Sequence, residues 1–224
     1  MNLGYACINM TLSGQKPKVT TNRSMIKKTF TEKGIDYAGE LGMLNAADLG
    51  RILRWNVENG IKVFRLSSEF FPWASEYKFE DLPQYLRIKT LLAGAGHYAK
   101  SNGMRLTCHP GPFNVLVSPH KHVVDNTITD LRIHGEIFDM LGLERSPYNK
   151  INIHCNGVYG DKQSAMDRFC KNFELLPESV QTRLTVENDD KASMYSVKDL
   201  MYIHERIGIP IVFDYHHHKF CTGD

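Results

Sequence analysis

Short apolar runs rich in β-branched residues alternate with helical patterns along this chain, and that alternation is the strongest limit on its fold. LGYACI, IKVFRL, MRLTC, KINIH, RLTVE and IPIVFD read as successive strands. Between them, LNAADLGRILRWNVENG sets Leu49, Ile52, Leu53 and Val57 at helical spacing and stops at Asn59 and Gly60. Further helices are predicted from Leu82 to Asn102, from His120 to Leu143 and around Gln163 to Leu176. VKDLMYIHERIG is one more, closed at Gly208. The polar stretch SGQKPKVTTNRS, with its Gly, Pro and Thr, reads as a long loop over one end of the fold. Strict alternation of strand and helix predicts an α/β fold with a parallel sheet and right-handed crossovers.

The architecture expected from that pattern is a TIM-type (β/α)8 barrel, forming a single domain over residues 1–224. An eight-stranded barrel usually needs about 250 residues or more. Six βα units are visible here, so the expectation is a C-terminally incomplete barrel lacking roughly two units. A doubly wound open sheet is the alternative, although no Gly-rich phosphate turn follows the first strand.

Composition excludes some functions. A formal charge of +2 and 23% charged residues leave no basic tail or acidic block, so any nucleic-acid contact has to come from local Lys and Arg. Five cysteines, odd in number and without CxxC spacing, suit a reducing cytoplasm, with nucleoid association in a bacterium. No basic n-region precedes an apolar run and nowhere do eighteen apolar residues follow one another, so neither export nor membrane insertion is expected. A monomer is expected.

The chemistry sits at the strand ends. His109 follows MRLTC, His154 closes INIH, Glu187 closes RLTVE, and Asp214 with His217 follows IPIVF. Strand C-termini of a barrel converge on one face, so these distant residues can meet at one site. A carboxylate closing an apolar strand is costly to desolvate unless it meets a cation or another partner. Asp214 and His217, three residues apart, can aim two donors at one pocket. Imidazole and carboxylate donors without a Cys set favour Mn²⁺, Zn²⁺ or Fe²⁺. Several such donors suggest more than one ion, the usual arrangement for phosphodiester hydrolysis. His109 also opens HPGPFN, where Pro110, Gly111 and Pro112 stiffen the backbone; Phe113 is then either an exposed wedge or a core aromatic.

Several blocks, in order, resemble the UV damage endonuclease family: LGYACINMTL, TTNRSM, FRLSSEFFPWAS, LTCHPGPFN, INIHCNGVYGDK, LTVENDD and IVFDYHHH. The resemblance implies a barrel that incises double-stranded DNA 5′ of ultraviolet photoproducts with two or three divalent ions, typically Mn²⁺, with Zn²⁺ as an alternative. It implies metal ligation by His109, His154, Glu187, Asp214 and His217, and places Glu69 near the cluster. Two further histidines, a glutamate and a modified lysine would lie beyond residue 224. It implies lesion contacts at Tyr5 and Asn9, which read equally well as a strand-end tyrosine and a loop asparagine. The loop after HPG, where the family carries a Gln and Tyr pair, holds Pro112 and Phe113. Phe113 can still act as an apolar wedge, while Pro112 has no amide to offer. Arg23, in the shared TTNR block, leads the candidates for phosphate contact, ahead of Lys16, Lys18, Lys121 and Lys162. A sugar isomerase of the xylose isomerase type and a damaged-DNA-binding fragment without catalysis are the rival readings.

Overall fold

The structure, a computed structural model, describes residues 2–223. Contacts within the chain group it into two compact units. One runs up to Cys108 and includes Glu136–Glu144; the other comprises His109–Gly135 and the chain from Arg145 onward.

The first unit contains strand β1 (Gly4–Ala6), the one-turn helix α1 (Met10–Ser13), helix α2 (Lys27–Glu58), β2 (Val63–Leu66), α3 (Tyr85–Ser101) and β3 (Arg105–Cys108). The strands are parallel, with Tyr5 opposite Phe64 and Phe64 opposite Leu106. Phe64 and Leu106 are fully buried, while Arg65 between Phe64 and Leu66 is exposed, the alternation expected of a pleated strand. Helices α2 and α3 pack on one another.

Helix α2 begins at Lys27, well ahead of the predicted Leu44. Its first half lacks a clear apolar period and contains Gly34, whose φ of 65° interrupts the helix with a kink that a β-carbon would resist. The predicted apolar face is present, with Leu49, Ile52 and Leu53 fully buried, but Asn45, Asp48 and Asn56 share it. These three anchor the N-terminal segment. Asn45 Nδ2 donates to the carbonyls of Phe70 (2.9 Å) and Arg23 (3.1 Å). Asp48 Oδ2 accepts from the Thr20 amide at 3.0 Å, and Asn56 Oδ1 accepts from the Tyr5 hydroxyl at 2.6 Å. The predicted long loop is thereby tied to the helix, and it follows directly on α1, which ends at Ser13 and is capped by Asn9, whose side chain accepts from the Leu12 amide at 2.9 Å.

Helix α4 (Lys121–Met140) begins in the second unit, which continues with β4 (Ile151–His154), α5 (Lys162–Phe173), α6 (Glu178–Gln181), β5 (Leu184–Glu187), α7 (Val197–Ile207), β6 (Ile211–Val212) and the one-turn α8 (Tyr215–His218). The strands are again parallel. His154 stands opposite Glu187, and Glu187 opposite Val212. Ile151, Ile153, Leu184 and Val186 are buried, as are Phe169 of α5 and Leu200 and Ile203 of α7, and α7 packs on both α5 and β5. A capping box of Ser196 and Asp199 opens α7, and Gly208, at φ 68°, closes it where the sequence predicts. Among the described residues, no helix is long and apolar enough to cross a membrane.

Within the first unit, α3 comes so close to the segment after α4 that a β-carbon on Gly96 would lie 1.7 Å from the Leu141 carbonyl oxygen. Neither backbone can rotate away. Gly96→Ala is expected to destabilise by about 1–3 kcal/mol, as overpacking does. Gly94→Ala, in the same helix but facing open space, should be neutral or stabilising by up to about 1 kcal/mol. Urea denaturation compares them; equal midpoints would contradict this packing.

Candidate metal centre

The parallel register that sets His154 opposite Glu187 delivers both side chains from adjacent strand ends of the second unit. Two groups of donor atoms result, each with all its atoms within 4.8 Å of one another: His109, His154 and Glu187; and Glu187, Asp214 and His217. Glu187 belongs to both. Its Oε2 lies 3.5 Å from His109 Nε2 and its Oε1 lies 3.7 Å from His217 Nδ1. The His154 ring stands between the other two imidazoles, with centroid separations of 5.1 Å to His109 and 5.3 Å to His217.

Each donor is aimed by a neighbour. Glu187, only 6% exposed, accepts from Asn152 Nδ2, and Asn152 is itself oriented by the Thr185 hydroxyl at 2.7 Å. His109 Nδ1 lies 3.1 Å from the Pro110 carbonyl, the arrangement in which Nδ1 carries the proton and Nε2 offers its lone pair. His217 Nδ1 faces the Asn188 carbonyl at 2.8 Å in the same manner. Asp214 caps α8, its Oδ1 accepting from the amides of His216 (2.7 Å) and His217 (2.9 Å). His154 Nδ1 is buried without a hydrogen-bond partner and lies 3.4 Å from Asp189 Oδ1. A buried ring nitrogen without a hydrogen-bond partner, beside the Asp189 carboxylate, suits a cation, and imidazole with carboxylate is the donor chemistry of Mn²⁺, Zn²⁺ and Fe²⁺. These side chains can hold a metal ion.

The electrostatics follow from the same contacts. Burial raises the Asp189 carboxyl, against the opposing pull of His154 and the Tyr195 amide. At Asp214, burial acts upward, but the His217 amide and the His217 charge outweigh it and the carboxyl is lowered. At His217, burial acts downward, but the bond to Asn188 and the carboxylates of Asp214 and Glu187 outweigh it and the imidazole is raised.

The loop after His109 is rigid. Asn114 Nδ2 donates to Gly111 O (3.1 Å) and Asp130 Oδ2 (2.7 Å), and the Thr127 hydroxyl accepts from the Val115 amide at 2.9 Å. Arg168 Nε and Asn172 Nδ2, both on α5, donate to the carbonyls of Val117 and Leu116, each at 2.7 Å. On this frame Pro112 is exposed and Phe113 is 88% exposed, which decides against a core aromatic.

Other expected site residues lie in the first unit. Glu69 is exposed and belongs to neither donor group. Tyr5 and Asn9 bond to each other at 2.8 Å, and their remaining polar contacts go to Asn56 and the α1 cap. Arg23, the leading candidate for a phosphate contact, is engaged within the N-terminal segment. Its Nη2 bonds to Asp48 Oδ2 (2.6 Å) and Lys18 O (3.0 Å), and its Nη1 to Thr20 O (2.6 Å). Lys162 is likewise engaged, by Met194 O and Asp199, and Lys121 pairs with Asp125. Lys16 and Lys18 are exposed. Asn152, Asn188 and Asp189 were not singled out from the sequence. The last two continue the ENDD run after the fifth strand, a signal that was present; Asn152 shows only as an amide inside an apolar strand.

Parallel strands that bring imidazoles and carboxylates together from their C-terminal ends define an α/β protein of the TIM-barrel type with a metal-capable centre. The chain belongs to the UV-endonuclease UvdE family, whose model matches residues 1–224. It is 37% identical over 224 residues to the UV-damage endonuclease of Schizosaccharomyces pombe, covering 99% of this chain and 37% of that protein. The chain thus spans little more than a third of that relative's length. The crystal structure of SacUVDE superposes with a TM-score of 0.86 at 33% identity, covering all of this chain and 73% of that one. A D-psicose 3-epimerase from Clostridium cellulolyticum, at 12% identity and a TM-score of 0.55 over 80% of this chain and 62% of its own, shares the fold alone.

A histidine raised above 6.5 in the folded state stabilises fully below that pH, and loses the contribution as pH climbs through the folded value. A depressed Asp214 contributes in the opposite sense, above 3.8, and loses it as pH falls through its folded value. Asp214→Asn keeps a side chain able to cap α8 while removing the charge. In the metal-free protein it should lower the midpoint at which His217 titrates in an imidazole NMR experiment. An unmoved midpoint would show that the two do not interact.

Proposed function

We propose that this chain carries the metal centre of a DNA repair endonuclease that incises double-stranded DNA 5′ of ultraviolet photoproducts. The observation that carries the reading is the sharing of Glu187 between two donor groups, in a chain of the UvdE family. One carboxylate serving two groups suits a pair of divalent ions, with Mn²⁺ as the favoured metal and Zn²⁺ as the alternative. Bound there, such ions supply Lewis acidity toward a phosphodiester and lower the pKa of a nearby water.

The chain's own residues do the placing. His109 and His154 would hold one ion with Glu187, and Asp214 and His217 the other. Asn152 fixes the Glu187 carboxylate so that each oxygen faces a different group. Phe113, exposed on a loop held by Asn114, Thr127, Arg168 and Asn172, is the wedge for a poorly stacked step in the duplex. A small sugar has no use for such a wedge, which favours DNA over the isomerase reading.

Full chain supplied with Mn²⁺ is expected to nick irradiated plasmid, and Glu187→Gln to be inactive. Nicking by both at equal rates would remove Glu187 from the site. Damaged-duplex binding without nicking by the unaltered chain would favour a binding fragment. Stacking on an aromatic is worth about 1–3 kcal/mol per base, so Phe113→Ala should weaken binding of irradiated duplex about tenfold. Its thermal midpoint should not change, because an exposed side chain contributes little to folding. Unaltered affinity in an anisotropy titration would exclude the wedge.

A further inference from the structure

We propose that Asn188 is a positioning residue that fastens the Asp214 and His217 donor group to the end of β5, independently of the His109 and His154 group. The inference rests on the metal-binding reading above and deepens it. Asn188 follows the shared Glu187 directly and is fully buried. Its Oδ1 accepts from the Asp214 amide at 2.8 Å and its Nδ2 donates to the Asp214 carbonyl at 3.1 Å. Its own carbonyl faces His217 Nδ1 at 2.8 Å. Three contacts from one residue therefore reach α8 across 26 and 29 positions of chain.

The geometry explains why the residue is asparagine. The ladder between β5 and β6 reaches Glu187 opposite Val212. Beyond that rung the carboxamide of Asn188 takes the place of a strand backbone, pairing with both the N–H and the C=O of Asp214. That substitution lets the chain turn at once into α8, with Asp214 at the cap and His217 on the first turn. Aspartate lacks the donor and alanine lacks both groups. None of these three contacts goes to His109 or His154, so loss of the carboxamide should disable one donor group and spare the other. Outer partners of this kind typically change metal affinity by about 10–100-fold.

The test compares the full chain with Asn188→Ala in Mn²⁺ titrations followed by calorimetry and electron paramagnetic resonance. The unaltered chain should bind a pair of ions whose spectrum shows spin coupling. Asn188→Ala should bind one with unchanged affinity, give an isolated-ion spectrum, and bind the other at least about tenfold more weakly. In both proteins without metal, hydrogen exchange over 211–221 should be faster in the variant, while β4 and β5 stay protected. Two ions bound by Asn188→Ala with unaltered affinities would overturn the inference and leave the metal reading standing. No ion bound by the unaltered chain would overturn both. A further measurement needs no variant: the Asn188 carboxamide protons of the metal-free unaltered chain should exchange slowly with water by NMR. Rapid exchange overturns the inference even where the variant does not fold.

Discussion

A single buried carboxylate organises the second unit. Glu187 closes an apolar strand, and its charge has no bulk water to face, so the surrounding side chains are arranged to receive it: an amide from Asn152, and imidazoles on either side from His109 and His217. An ionised carboxyl in such a place is tolerated only with several partners. Those three partners come from within β4, from just after β3 and from beyond β6, separated by long stretches of sequence. The carboxylate thus ties the parallel register of β4, β5 and β6 to the chemistry, because a shift of one residue would turn Glu187 toward the opposite face of the sheet.

Around it, precision comes from neutral amides more than from charges. Asn152 aims Glu187, Asn188 holds Asp214, and Asn114 with Asn172 pins the loop that presents Phe113. A carboxamide offers donor and acceptor together without a desolvated charge, so it can substitute for a backbone rung or brace a turn at modest cost. Rigid scaffolding of this sort suits a site where donor atoms must stay within a fraction of an ångström of their working positions.

What was legible in the sequence, and what was not, divides on the same line. Strand order, the Gly208 stop and the five strand-end donors could all be read, because period, turn residues and ionisable ends are local signals. Asn152 and Asn188 could not, since their partners lie many positions away and an amide within or after an apolar strand follows no spacing rule. The partner of Arg23 was hidden for the same reason. In the chain it is a basic residue in a polar loop; in space Asp48, from the buried face of a helix, has claimed it. Helix α2 was underestimated because its first half has no apolar period to reveal it and carries Gly34.

That helix has a consequence for anyone reshaping the protein. Asn45, Asp48 and Asn56 occupy positions where helix propensity and burial would both prefer leucine or alanine. A redesign scored on hydrophobic packing would replace them, and α2 taken alone would gain from the exchange. Thr20 and Arg23 would then lose their side-chain partners on the helix, and the Tyr5 hydroxyl its acceptor, so optimising the helix would undo part of the address that tells the N-terminal chain where to lie.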